Sequence, residues 1–125
     1  MNSRDPFTRR WLITLGLWTI GLIIPGTWFG QIPHMSIGRI GAAKILHFAM
    51  YAGLAGAAGW LPTNLVGRIA IALPLLSAHG ALTEFIQTFV PARTGCVRDW
   101  VIDSSGIVAG FALAWHWWPK EPRTK

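Results

Sequence analysis

The sequence predicts an all-α membrane protein, a four-helix transmembrane bundle with both termini in the cytoplasm. Three observations lead there. Hydrophobic residues make up 52% of the 125-residue chain and charged residues 13%, against roughly 25% charged in an ordinary soluble domain. Eight Trp in so short a chain suit a protein that sets indoles at a membrane–water interface. Four apolar stretches, each near the roughly 20 residues that a spanning helix needs, lie between basic or proline-rich punctuation. The eleven Lys and Arg against five Asp and Glu punctuate these stretches instead of clustering, so nothing beyond net charge points to nucleic acid. The single Cys96 excludes an intrachain disulfide and a Cys-rich metal site.

The first span is expected over residues 11–29, a run without a charge from Trp11 to Phe29, with Pro25 positioned to kink or end it. Arg4, Arg9 and Arg10 ahead of that run imitate a signal peptide, but Pro25-Gly26-Thr27-Trp28-Phe29 follows in place of a small-residue cleavage site, so the segment reads as an uncleaved helix. The second span, 44–61, is rich in Ala and Gly and is closed by Pro62; the third, 68–90, carries Pro74 and stops at Pro91; the fourth, 99–118, stops at Pro119. Four such spans consume about 80 residues. Residues 1–125 therefore read as a single membrane domain with no room for a soluble one.

Basic residues set the orientation. Arg4, Arg9, Arg10, Arg68, Lys120, Arg123 and Lys125 fall on one side, seven in all, and Arg39, Lys44, Arg93 and Arg98 on the other, which puts the first set, with both termini, inside. On this reading Trp11, Trp60, Trp117 and Trp118 mark the inner interface, and Trp28 and Trp100 the outer one.

Three of the five acids, Glu84, Asp99 and Asp103, lie inside or at the edge of apolar segments, where an ionised side chain at mid-bilayer costs about 3 kcal/mol. At 1.5 Å rise per residue, Glu84 sits about 10 Å below the outer end of the third helix, His47 and Tyr51 about 5 and 10 Å below that of the second, and Asp103 about 6 Å below Asp99. Residues three or four apart share a helix face, so His47 with Tyr51, Glu84 with Gln87 and Asp99 with Asp103 form three polar pairs at one depth. Arg93, in the loop above, can reach a carboxylate, and Lys44 and Arg98 are further cations. The pattern implies a charge-compensated polar pocket open to the outer surface. Glu84, His47 and Asp99 are its candidate acid–base groups; Arg93, Gln87, Tyr51, Lys44 and Asp103 are its candidate ligand contacts.

Each group also has a plainer role: His47 and Gln87 as interhelix hydrogen-bonding glue, Tyr51 as a packed aromatic, Asp99 and Asp103 as helix caps. Gly106 and Gly110 form a G-x-x-x-G on the fourth helix and suit close packing. His79 with Thr83 one turn on suits a proton path or, more simply, a buried neutral His bonded to a neighbour. His47, Glu84, Asp99 and Asp103 offer nitrogen and oxygen ligands but form no compact motif such as H-E-x-x-H, so neither metal nor cofactor is expected from spacing.

Lys44-Ile45-Leu46-His47-Phe48-Ala49-Met50-Tyr51 and Thr83-Glu84-Phe85-Ile86-Gln87-Thr88-Phe89-Val90-Pro91-Ala92-Arg93, continuing through Asp99 to Gly106 and Gly110, resemble the VanZ-like family of small polytopic membrane proteins, named for a protein associated with teicoplanin resistance. Thr83 stands where many relatives have an acid, and Asp103 where they have Asn, which removes one carboxylate pair and creates another with Asp99. The resemblance implies an integral protein of the bacterial cytoplasmic membrane, linked to the cell envelope or glycopeptide tolerance, and supplies no established reaction. Two readings follow: a pocket that binds or modifies a lipid or lipid-linked cell-wall component, and a non-catalytic assembly protein docking a second copy or another membrane protein.

Overall fold

The computed structural model describes residues 5–29, 36–37, 40–89 and 97–119. Four α-helices carry the fold: α1 (Pro6–Phe29), α2 (Ala42–Ala57), α3 (Leu65–Gln87) and α4 (Val97–Ala114). A 3-10 turn, Ala58–Trp60, extends α2, and a two-residue antiparallel pair, β1 (Ser36–Ile37) with β2 (Ile40–Gly41), precedes it. All four expected helices form; their ends move for local reasons.

The start of α1 lies five residues earlier than the uncharged run, because Asp5 and Pro6 make a starting signal. Pro6 takes the first helical position, where its missing N–H costs nothing, and the Asp5 carboxylate accepts from the Phe7 N–H at 2.9 Å. Pro25 does not end this helix, which continues to Phe29, and Pro74 lies inside α3 in the same way. The α3 start moves from Arg68 back to Leu65, since Asn64 caps it by accepting from the Gly67 N–H at 2.8 Å. Arg68 was expected as a loop charge that sets topology; it is instead buried in the first turns of α3, donating through Nε to the Leu61 carbonyl (3.1 Å) and through Nη1 to that of Pro119 (2.7 Å). Those bonds satisfy carbonyls at the end of the 3-10 turn and beyond α4. They also explain why α4 stops at Ala114: the chain turns so that Trp118 packs under Arg68 and donates to the Gly56 carbonyl at 2.9 Å.

α2 packs on α4 more extensively than any other two elements. The two run parallel, and the contact repeats every four residues. A Cβ built on Gly106 would collide with the Phe48 carbonyl, one on Gly110 with that of Ala52, and Gly56 faces Ala114. The G-x-x-x-G is thus used within the chain, bringing two backbones together as small residues do in membrane helix pairs.

Leu54, Leu76, Ile107 and Trp11 belong to the buried core, Trp11 donating to the Leu54 carbonyl at 3.4 Å. Trp11 and Trp118, expected as interface anchors, are core residues, whereas Trp117 is 80% exposed. Buried beside that core are Thr8, His47, Arg68, Thr83, Glu84, Gln87 and Asp103, while Leu17, Ile20, Leu82, Phe85, Val108 and Leu113 are each more than half exposed. So many buried polar side chains beside an apolar core, with so many large apolar ones outside, depart from the usual soluble pattern. Among the described residues one helix, Leu65–Gln87, is long and apolar enough to cross a membrane. The ends of the described chain meet: Phe7 and Arg10 share one cavity with Arg68, Trp118 and Pro119. The N-terminus of α2, the C-terminus of α3 and the N-terminus of α4 gather at the opposite end.

Candidate functional site

That opposite end holds the site. His47 lies in the second turn of α2, Asp103 in the second turn of α4 and Glu84 in the last turn of α3, so three helix ends bring three ionisable groups together. His47 Nδ1 donates to Asp103 Oδ1 at 3.0 Å and lies 3.9 Å from Glu84 Oε1. Their exposures are 5%, 1% and 6% respectively. Two carboxylates this deeply buried are tolerated only with partners, because a lone charge in an apolar interior costs several kcal/mol. The imidazole between them supplies part of that compensation. Gln87, 2% exposed, lies one turn beyond Thr83 and Glu84 on the same buried face.

A second set of groups continues inward from the first. Tyr51, one turn after His47, is fully buried, and its hydroxyl lies 2.9 Å from His79 Nδ1. His79 Nε2 meets the Thr19 hydroxyl of α1, which itself donates to the Leu15 carbonyl at 2.9 Å. With its proton committed to Leu15, Thr19 Oγ1 must accept from His79 Nε2–H. In a neutral ring His79 Nδ1 then has no proton and accepts from the Tyr51 hydroxyl. The chain of donors runs one way, from Tyr51 through a neutral His79 to Thr19, and ties α1 to α2 and α3. Thr83 donates to the His79 carbonyl at 2.8 Å. Where Gly80 lacks a side chain, Asp103 Oδ2 and Tyr51 Oη face the same spot, each 3.5 Å from the position a Cβ would take.

The residues singled out from sequence separate into three groups. His47, Glu84 and Asp103 meet in one cluster, with Tyr51 and Gln87 buried at its flanks. Asp99 does not join them; it turns to Lys44, with Nζ and Oδ1 3.5 Å apart at a partly exposed edge. The helical pairing of Asp99 with Asp103 is therefore split between two environments. Arg93, the expected cation above the layer, lies outside the described residues.

For His79 the plainer expectation holds, a ring bonded to its neighbours, although pattern reading left it out of the site. Its polar spacing with Thr83, Glu84 and Gln87 at positions i, i+4, i+5 and i+8 is the stripe of one helix face, and reading α3 as a face would have placed it with them. Thr19 carried no sequence signal, since nothing in α1 shows which turn meets His79.

Chemically, the cluster offers one imidazole and two carboxylates with ligand atoms within 4.8 Å of one another, a set fit for proton transfer or cation binding and screened from water by its burial. No curated protein and no solved structure matches the chain. The VanZ/LLP1 family model matches residues 3–118, nearly the whole chain, including every element described above, and the chain belongs to that family.

Proposed function

We propose that this protein is a multi-pass protein of the bacterial cytoplasmic membrane, one membrane unit with four spans and both termini inside, whose buried polar site binds or modifies the head group of a lipid or lipid-linked cell-wall component at the outer leaflet. The observation that carries this reading is the convergence of His47, Glu84 and Asp103 from three helices at one end of a bundle whose surface is apolar. Ionisable side chains buried in such a setting are a functional-site signature, because structure alone is satisfied more cheaply by apolar packing. Membership of a generally membrane-associated family whose name is tied to teicoplanin resistance supports an envelope role and a link to glycopeptide tolerance. The exposed apolar side chains on α1, α3 and α4 support lipid contact beyond the single helix that passes the spanning test by itself. The shared location of the two described chain ends supports placing both on one side of the membrane.

In this reading Glu84 and His47 are the acid–base pair, Asp103 orients the imidazole through Nδ1, and Tyr51 and Gln87 shape the pocket wall. Arg93 attracts an anionic head group, while Lys44 and Asp99 form its rim. The other role open to these residues is interhelix glue in an assembly protein. That role is weakened in one respect: the Gly106 and Gly110 face that suited docking a partner is already occupied by α2.

The test is Glu84→Gln in a strain lacking the chromosomal copy, scored by glycopeptide tolerance and by protein level in the membrane. The substitution keeps size and hydrogen bonding and removes the ionisable group. Normal level with lost tolerance is expected; full complementation refutes Glu84 as acid or base. Labelling of Cys96 by a membrane-impermeant maleimide in intact spheroplasts is expected alongside, and labelling only after permeabilisation refutes the outer-leaflet placement.

A further inference from the structure

The cluster has the composition and dimensions of a cation site. A divalent ion bound tetrahedrally at about 2.0–2.1 Å holds its ligands on tetrahedron edges of roughly 3.3–3.4 Å. Here His47 Nδ1 stands 3.0 Å from Asp103 Oδ1 and 3.9 Å from Glu84 Oε1, and the three ligand atoms all fall within 4.8 Å of one another. The two separations from His47 lie on either side of the ideal edge, and the carboxylate–carboxylate separation, at most 4.8 Å, would have to close by up to about 1.4 Å to reach it, a shift that side-chain torsions can supply.

Two further features point the same way. Asp103 is 1% exposed, yet its Oδ2 has no hydrogen-bond partner among the described residues, although a buried carboxylate oxygen ordinarily has one. That oxygen belongs to the same carboxylate that already faces His47, so a modest rotation offers either oxygen, or both, to an ion. Finally, the ligands are carried on rigid elements. His47 and Asp103 lie one residue before Phe48 and three before Gly106, the first rung of the α2–α4 backbone contact, so their separation is set by packing that leaves little slack.

We propose that His47 Nδ1, Glu84 and Asp103 bind one divalent first-row transition-metal ion, of the zinc or manganese type. An imidazole nitrogen with two carboxylates suits such borderline cations better than the all-oxygen shells preferred by Mg²⁺ and Ca²⁺. Three protein ligands, one fewer than a closed structural zinc site, leave coordination positions for water or for an oxygen of a bound head group. Binding requires the proton that His47 Nδ1 donates to Asp103 to leave that nitrogen; in a neutral ring it moves to Nε2, which then carries the N–H of the metal-bound imidazole.

The experiment uses the full chain purified in detergent, stripped with a chelator and dialysed against Zn²⁺ or Mn²⁺, with bound metal measured by elemental analysis and affinity by calorimetry. One equivalent per chain is expected, with a rise in melting temperature that a chelator reverses. Asp103→Asn and His47→Gln are expected to weaken binding by more than the roughly 10- to 100-fold that loss of an outer-shell partner costs. No stoichiometric binding to the folded wild-type protein overturns the proposal, and so does binding that both variants retain. If either variant fails to fold, the wild-type stoichiometry and its melting shift still decide. The readout needs no substrate, so a negative result here leaves the Glu84→Gln complementation test of the head-group reading untouched, and the reverse holds as well.

Discussion

Replacing Gly110 by Ala tests the α2–α4 contact on which the site geometry depends. A Cβ at Gly110 would come to 2.8 Å from both Cα and the carbonyl carbon of Ala52, and nearer still to its oxygen. Carbon atoms rest at about 3.5–4.0 Å, so the helices must separate by roughly 1 Å at this rung, because the obstacle is backbone and cannot rotate away. Overpacking of this kind costs about 1–3 kcal/mol. Against it stands the better helix propensity of Ala over Gly, worth up to about 1 kcal/mol. Gly56→Ala supplies the control on the same helix pair, since its nearest neighbour would be the Ala114 Cβ at 3.6 Å, an ordinary contact. The propensity gain is common to both, so the difference between the two variants isolates the clash, about 1–3 kcal/mol in favour of Gly56→Ala. Unfolding by SDS titration in mixed micelles, followed by circular dichroism, measures that difference. A Gly110→Ala protein as stable as Gly56→Ala would refute the close backbone approach, and with it the argument that packing sets the His47–Asp103 spacing.

Two further outcomes follow from the same geometry. Arg68→Met removes two charge-assisted bonds to the Leu61 and Pro119 carbonyls, each worth about 1.5–3 kcal/mol; a loss of more than about 2 kcal/mol with a shift in tryptophan emission is expected, and an unchanged unfolding midpoint would deny Arg68 its structural role. Tyr51→Phe leaves His79 Nδ1 without its donor, at a cost of about 1–3 kcal/mol. A double-mutant cycle of Tyr51→Phe with His79→Leu is expected to show coupling of about 1 kcal/mol, and strict additivity would contradict the one-way chain of donors.

What the order of residues determines by itself is the helical class and the approximate position of each helix. Long apolar runs with few charges favour a backbone that bonds to itself, and that is a local property of the chain. The candidate site was legible in part for the same reason. Glu84 and Asp103 stand out because a carboxylate in an apolar run is costly wherever the helix packs. His47 with Tyr51 and Glu84 with Gln87 share faces by helical period alone.

Tertiary structure decided the rest, because a helical period says which residues share a face but not what that face meets. Asp99 and Asp103 are one turn apart on α4, yet one pairs with Lys44 at the rim and the other with His47 in the interior. Arg68 reads as a loop charge until the end of α4 folds back and gives its guanidinium two carbonyls to hold. Trp11 and Trp118 read as interface anchors until each finds a carbonyl on α2. His79 carries its proton on Nε2 only because Thr19, on another helix, has already spent its own proton on Leu15. The proposed cation site belongs to this second class: its ligands come from positions 47, 84 and 103, no spacing announces them, and the rung of glycine contacts between α2 and α4 brings two of the three within bonding distance.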